Sequence, residues 1–118
     1  MAVRRIVTNV AATNLDAARS FYGDVLGLEV AMDFGWILTF AAPEAWAAPQ
    51  ISIASEGGSG TVVPDISVEV DDLSDVLDRA RAAGVPIEYG PVREPWGVER
   101  FYLRDPFGRL INILAHSR

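Results

Sequence analysis

Leu15-Asp16-Ala17-Ala18-Arg19-Ser20-Phe21-Tyr22-Gly23-Asp24-Val25-Leu26-Gly27-Leu28-Glu29-Val30 decides how this chain is read. Asn14, just before it, is a good helix N-cap, because its side-chain oxygen can accept from a free N–H of the first turn. Asp16 places negative charge where the helix dipole favours it. Leu15, Ala18, Tyr22 and Val25 recur at helical spacing and Gly27 closes the segment, which predicts a helix over 14–26.

Outward from this stretch, the same signals recur once. Asp72 opens a second helix over 72–83, with Leu73, Val76, Leu77 and Ala80 as its apolar stripe and Gly84 and Pro86 as its stop. Strand signals flank both helices, at about 3–11, 28–33, 36–42, 50–55, 64–70, 86–89, 98–104 and 109–115. Asp105-Pro106-Phe107-Gly108 joins the last two strands as a hairpin turn. Gly57-Gly58-Ser59-Gly60 reads as a flexible linker. The order is strand, helix, three strands, given twice. Thr13-Asn14-Leu15 corresponds to Asp71-Asp72-Leu73, and Gly27 falls near the place of Gly84. The expected fold is therefore α+β, with two βαβββ modules forming curved mixed sheets around a concave cavity. One domain spans 1–118, with module 1 at about 1–56, the linker at 57–60 and module 2 at about 61–118.

The quoted stretch resembles the "FY…vLGleV" signature of the vicinal oxygen chelate superfamily, the glyoxalase/bleomycin-resistance/dioxygenase proteins. Asp105-Pro106-Phe107-Gly108-Arg109-Leu110-Ile111 is similar to that family's C-terminal "DPdGnli" hairpin. Phe21 and Tyr22 are read as core and helix-packing residues, and both turns as backbone devices that identify a fold and not a chemistry.

The resemblance implies one divalent metal, held by His, Glu or Gln side chains from both modules. Its four positions fall here on Val7, on Gln50 or Ser52, on Asp65 and on Asn112. Valine has no donor atom and asparagine is a weak neutral ligand, so a transition metal is poorly served. The single histidine, His116, lies near the C-terminus. No metal and no cofactor are expected, and with the metal goes the Lewis acid of the family's isomerases and dioxygenases.

Strand alternation assigns the cavity face. Ile6, Thr8 and Val10 should face the helices, leaving Val7, Asn9 and Ala11 opposite. By the same logic Gln50 and Ser52, then Asp65, Ser67 and Glu69, then Arg100, Tyr102 and Asn112 form a polar floor. Trp36, Trp46 and Trp96 lie in or beside loops, where indole rings can stack on a flat ligand.

The bulk numbers narrow the partners. The chain of 118 residues has no cysteine, hence no disulfide or thiolate chemistry. Its net charge of −6 argues against nucleic acid. No apolar run is long enough for a membrane helix, and a cytoplasmic location is expected. The first functional reading is a homodimer that sequesters a flat aromatic molecule, as in bleomycin-resistance-like proteins, with Asp65 and Glu69 able to recognise positive charge. The second is an enzyme of the glyoxalase/dioxygenase type with a divergent metal site, or one using Tyr102, Asp65 or Glu69 as acid or base. The third is an interaction module with no ligand. No nucleophile–base pair stands out, so no catalytic residue is assigned.

Overall fold

A computed structural model describes residues 2–43 and 49–117. The elements are β1 (Val3–Ala11), α1 (Leu15–Ala18) running into a π-helical turn (Arg19–Val25), β2 (Glu29–Asp33), β3 (Ile37–Ala41), β4 (Gln50–Ala54), β5 (Ile66–Val70), α2 (Leu73–Ala82), β6 (Tyr89–Arg93), β7 (Val98–Arg104) and β8 (Leu110–His116). The βαβββ order thus occurs twice. In each copy the first strand lies parallel to the last, and the remaining pairs are antiparallel. No helix among the described residues is long and apolar enough to cross a membrane.

The chain divides into two compact units, Val7–Val63 and the remainder, so β1 is shared by residue between them. In the unit Val7–Val63 the strand order is β2-β3-β4-β1. Its core joins Ala18, Leu38, Phe40 and Ile53 with Leu15, Tyr22 and Leu28. In the other unit Val3–Ile6 of β1 is followed by β5, β8, β7 and β6. Val70, Leu73, Phe101 and Ile113 form its core, with Val68, Val76 and Leu77 against it. Both helices start as their caps predict: Asn14 accepts from the Ala17 N–H at 3.1 Å and Asp72 from that of Asp75 at 3.1 Å.

Four sequence expectations are corrected here. The first helix is not α-helical to its end. The Leu26 N–H reaches the Phe21 carbonyl, five residues back, at 3.1 Å. This wider turn rotates Val25 off the Leu15–Ala18–Tyr22 stripe and leaves it 70% exposed, with Phe21 at 51%. Phe21 is therefore not a core residue, although its ring meets Tyr22 edge-on at 5.1 Å. The strand expected at 86–89 lies at Tyr89–Arg93. Pro91 has no N–H to give a strand partner, but β6 ends the strand order, and an edge position tolerates such a residue. Lastly, Gly57–Gly60 is a bonded turn and not a loose linker. Gly57 N donates to Thr61 O at 2.8 Å, and Thr61 N to Gly58 O at 3.0 Å.

Candidate functional site

Within the unit built on β5–β8, alternation separates the two sheet faces as predicted. Phe101, Ile113 and Val68 pack toward α2. Their neighbours Arg100, Tyr102, Asn112 and Ser67 therefore point the other way. Register places Ser67 beside Asn112, and Asn112 beside Tyr102, which itself faces Tyr89 on β6. The result is a row of neutral polar groups across the sheet. Asn112 Nδ2 donates to Ser67 Oγ at 3.0 Å. Leu110 and Leu114, two places either side of Asn112 on β8, are buried on the same face.

Next to this row sits a buried ion pair. Arg100 and Glu94 side chains are each only 3% exposed. Glu94 Oε2 accepts from Arg100 Nε at 2.6 Å and from the Tyr89 hydroxyl at 3.0 Å. Arg100 Nη1 donates to the Tyr102 hydroxyl at 2.7 Å. The guanidinium also lies over the rings of Trp96, Tyr102 and Tyr89, at 4.9, 4.9 and 5.4 Å from their centroids. An Arg in such a box is compensated twice, by a carboxylate and by ring quadrupoles. It holds Trp96 and Tyr102 in place. It is not presented as a cation for a ligand carboxylate.

Glu94 and Tyr89 were not singled out in the sequence. Glu94 lies in the turn between β6 and β7, where no periodicity marks a residue as buried. The available signal was Arg100 itself: a charge on a covered sheet face needs a partner, and the turn of its own hairpin supplies one.

Asp65 and Glu69, the acids expected on this face, are also engaged. Asp65 Oδ2 accepts from Leu110 N at 2.9 Å, which fastens the start of β8. Glu69 faces Arg5 Nε at 3.0 Å with one oxygen and His116 Nδ1 at 3.0 Å with the other. Glu69 is thus paired with Arg5 and His116, while Arg100 is paired with Glu94.

In the unit Val7–Val63, Asn9 lies beside Ser52, and Ser52 beside Thr39, all opposite the Phe40–Ile53 core. Ser52 Oγ and Thr39 Oγ1 share a buried hydrogen bond of 2.7 Å. Val7 is buried. Gln50 is half-buried at the start of β4, next to Ala41. Trp36 is half-buried in the β2–β3 turn, its ring 6.3 Å from that of Phe34. Trp46 lies outside the described residues.

These residues do not fit the divalent metal that the family resemblance implies. Val7 offers no donor, Ser52 is bonded to Thr39, Asp65 is bonded to a backbone N–H, and Asn112 offers only a neutral amide oxygen. Among the described residues no group of three or more His, Cys, Asp or Glu comes together to hold a metal ion. Such a site would need imidazole or several carboxylates.

The family model described as Glyoxalase/Bleomycin resistance protein/Dioxygenase superfamily matches residues 5–113. Among solved structures, the chain is similar to NAD-dependent benzaldehyde dehydrogenase from Legionella pneumophila, at 12% identity and a TM-score of 0.75, over 96% of this chain and 100% of that one. It is similar to a glyoxalase/bleomycin resistance protein/dioxygenase superfamily member from Vibrio splendidus 12B01, at 17% identity and a TM-score of 0.64, over 98% and 99% of the two chains. Methylmalonyl-CoA epimerase from Mycobacterium tuberculosis gives 20% identity and a TM-score of 0.65, over 98% and 88%. At these identities the likeness is one of fold. No curated protein matches the chain.

Proposed function

We propose, from the premise that this chain belongs to the Glyoxalase/Bleomycin resistance protein/Dioxygenase superfamily, that it binds a flat aromatic small molecule without the help of a metal. One observation carries the reading: the last-strand position that the family resemblance gives to a metal ligand holds the amide Asn112, set in a neutral row with Ser67 and Tyr102. Trp96, fixed against Arg100, supplies an aromatic edge to that row. Asp65 and Glu69 already have hydrogen-bond or ionic partners, which favours a neutral ligand over a cationic one. Sequestration is favoured over acid–base turnover because the carboxylates of Asp65, Glu69 and Glu94 are already engaged by partners within the protein.

Thermal-shift and tryptophan-fluorescence screening against aromatic antibiotics and metabolites tests the proposal. A hit should be recovered unchanged, and Trp96→Ala should weaken its binding about fivefold, the equivalent of ~1 kcal/mol for one aromatic contact. Chemical conversion of the hit would favour the enzyme reading instead. Full affinity in Trp96→Ala would remove Trp96 from the site.

The same proposal includes a homodimer. Phe21, Val25 and Leu26, around the π-helical turn, expose large apolar surface that a second copy would cover. Sedimentation should give twice the 12.8 kDa chain mass at tens of micromolar, and Val25→Glu should shift it toward monomer. A monomer at that concentration speaks against it.

A further inference from the structure

Asn112 is 7% exposed, and its Oδ1 is closed to solvent with no hydrogen-bond partner. Its other polar atom, Nδ2, is committed to Ser67 Oγ at 3.0 Å, which fixes the oxygen as the side left over. Buried acceptors are satisfied in the great majority of proteins, and each exception calls for a physical reason. Strand geometry does not supply a donor here. The register neighbours are Ser67, whose oxygen receives Nδ2, and Tyr102, whose oxygen receives Arg100 Nη1. Along β8 the same face continues with Leu110 and Leu114, both buried and neither with a polar side-chain atom. The orphan acceptor is thus framed by apolar side chains along its own strand and by two hydroxyls across the sheet, neither of which donates to it.

We propose that Asn112 Oδ1 is the specificity determinant of this site and selects neutral aromatic ligands that carry one N–H or O–H donor. The inference rests on the aromatic-binding reading above and deepens it. An acceptor repels the oxygens of a carboxylate or phosphate and leaves a donor-free ring without compensation. A donor on the ring edge satisfies the orphan while the ring body lies against Leu110 and Leu114. Because the oxygen has no solvent contact, binding includes a local opening of the side chains around it.

Indole and benzofuran test this, since they share shape and differ in one ring N–H. In an NMR titration of the full-length 15N-labelled protein, indole should bind about tenfold more tightly, the expected effect of pairing a buried acceptor. In Asn112→Leu, which keeps the branched outline of the side chain and has no acceptor, that ratio should fall to about one. Equal binding of both probes by the wild-type protein overturns the selectivity and leaves the aromatic-binding reading intact. A preference that persists in Asn112→Leu shows that the donor is read elsewhere and also overturns it. Failure of both probes to shift any resonance at millimolar concentration sinks the aromatic-binding reading, and this inference with it.

Discussion

Replacing Arg100 by Met should cost roughly 3–5 kcal/mol, because it strands the Glu94 carboxylate in a place from which solvent is excluded. Both side chains are almost fully buried, and three donors converge on Glu94 Oε2: Arg100 Nε, Arg100 Nη2 and the Tyr89 hydroxyl. Removing the guanidinium takes two of them away and empties the space among Trp96, Tyr102 and Tyr89. Arg100→Lys should fall short of the wild type as well. A lysine is a point charge and cannot reach the carboxylate and the Tyr102 hydroxyl while stacking flat on rings. The double variant Arg100→Met/Glu94→Leu should recover most of the loss, since a buried pair exchanged for apolar groups is often neutral. Urea unfolding of the single and double variants measures this directly. A single variant within about 1 kcal/mol of wild type would mean that water reaches the pair and that the charges are not isolated.

The second large effect is expected at Gly90. Its φ is +76°, and a Cβ there would lie 2.5 Å from the Arg100 carbonyl oxygen and 3.0 Å from Val92 N, both backbone atoms that cannot swing aside. Gly90→Ala should destabilise by about 3 kcal/mol, combining the left-handed backbone with the collision. Gly108 separates the two causes. Its φ is +84°, yet nothing lies within 4 Å of its Cβ position. Gly108→Ala should therefore show the conformational part alone, about 1 kcal/mol. If both variants unfold at the same urea concentration, β6 moves freely away from β7 and the bulge between Tyr89 and Val92 is not a fixed feature.

What could be read beforehand is what repeats along the chain. Asn14 and Asp72 carry the chemistry of a cap, and both start helices. Asp105 was legible as a turn residue, and its Oδ1 accepts from Phe107 N and Arg109 N at 2.9 Å each. Alternation placed Ser67, Arg100, Tyr102 and Asn112 on the face opposite Phe101 and Ile113, because the period of a strand leaves no choice. What escaped was decided by neighbours far apart in sequence or by small differences in pitch. Apolar positions over a single short helix do not distinguish an α turn from a π turn, so Val25 was counted inside. Which acid would meet Arg100 depended on a turn residue, Glu94, that has no pattern of its own. Asp65 and Glu69 were legible as acids on one face, but the backbone of Leu110 and the side chains of Arg5 and His116 that engage them were not.

The division of β1 between the two units has a consequence in time. The Ala2 N–H bonds to Asp71 Oδ1 at 2.7 Å across 69 positions, and Asp71 N returns a bond to Ala2 O at 3.1 Å. Arg5 likewise meets Glu69. During synthesis these residues therefore wait for partners 69 positions further along before their strand can close. Thr8–Ala11 can pair with β4 earlier, once Ile51–Ala54 have emerged. Half of β1 is thus in place while the other half is still an unpaired edge. Such long-range closure slows folding and leaves a β edge open to wrong partners during synthesis. The order of elements in the gene, and not the strength of either core, sets how long that exposure lasts.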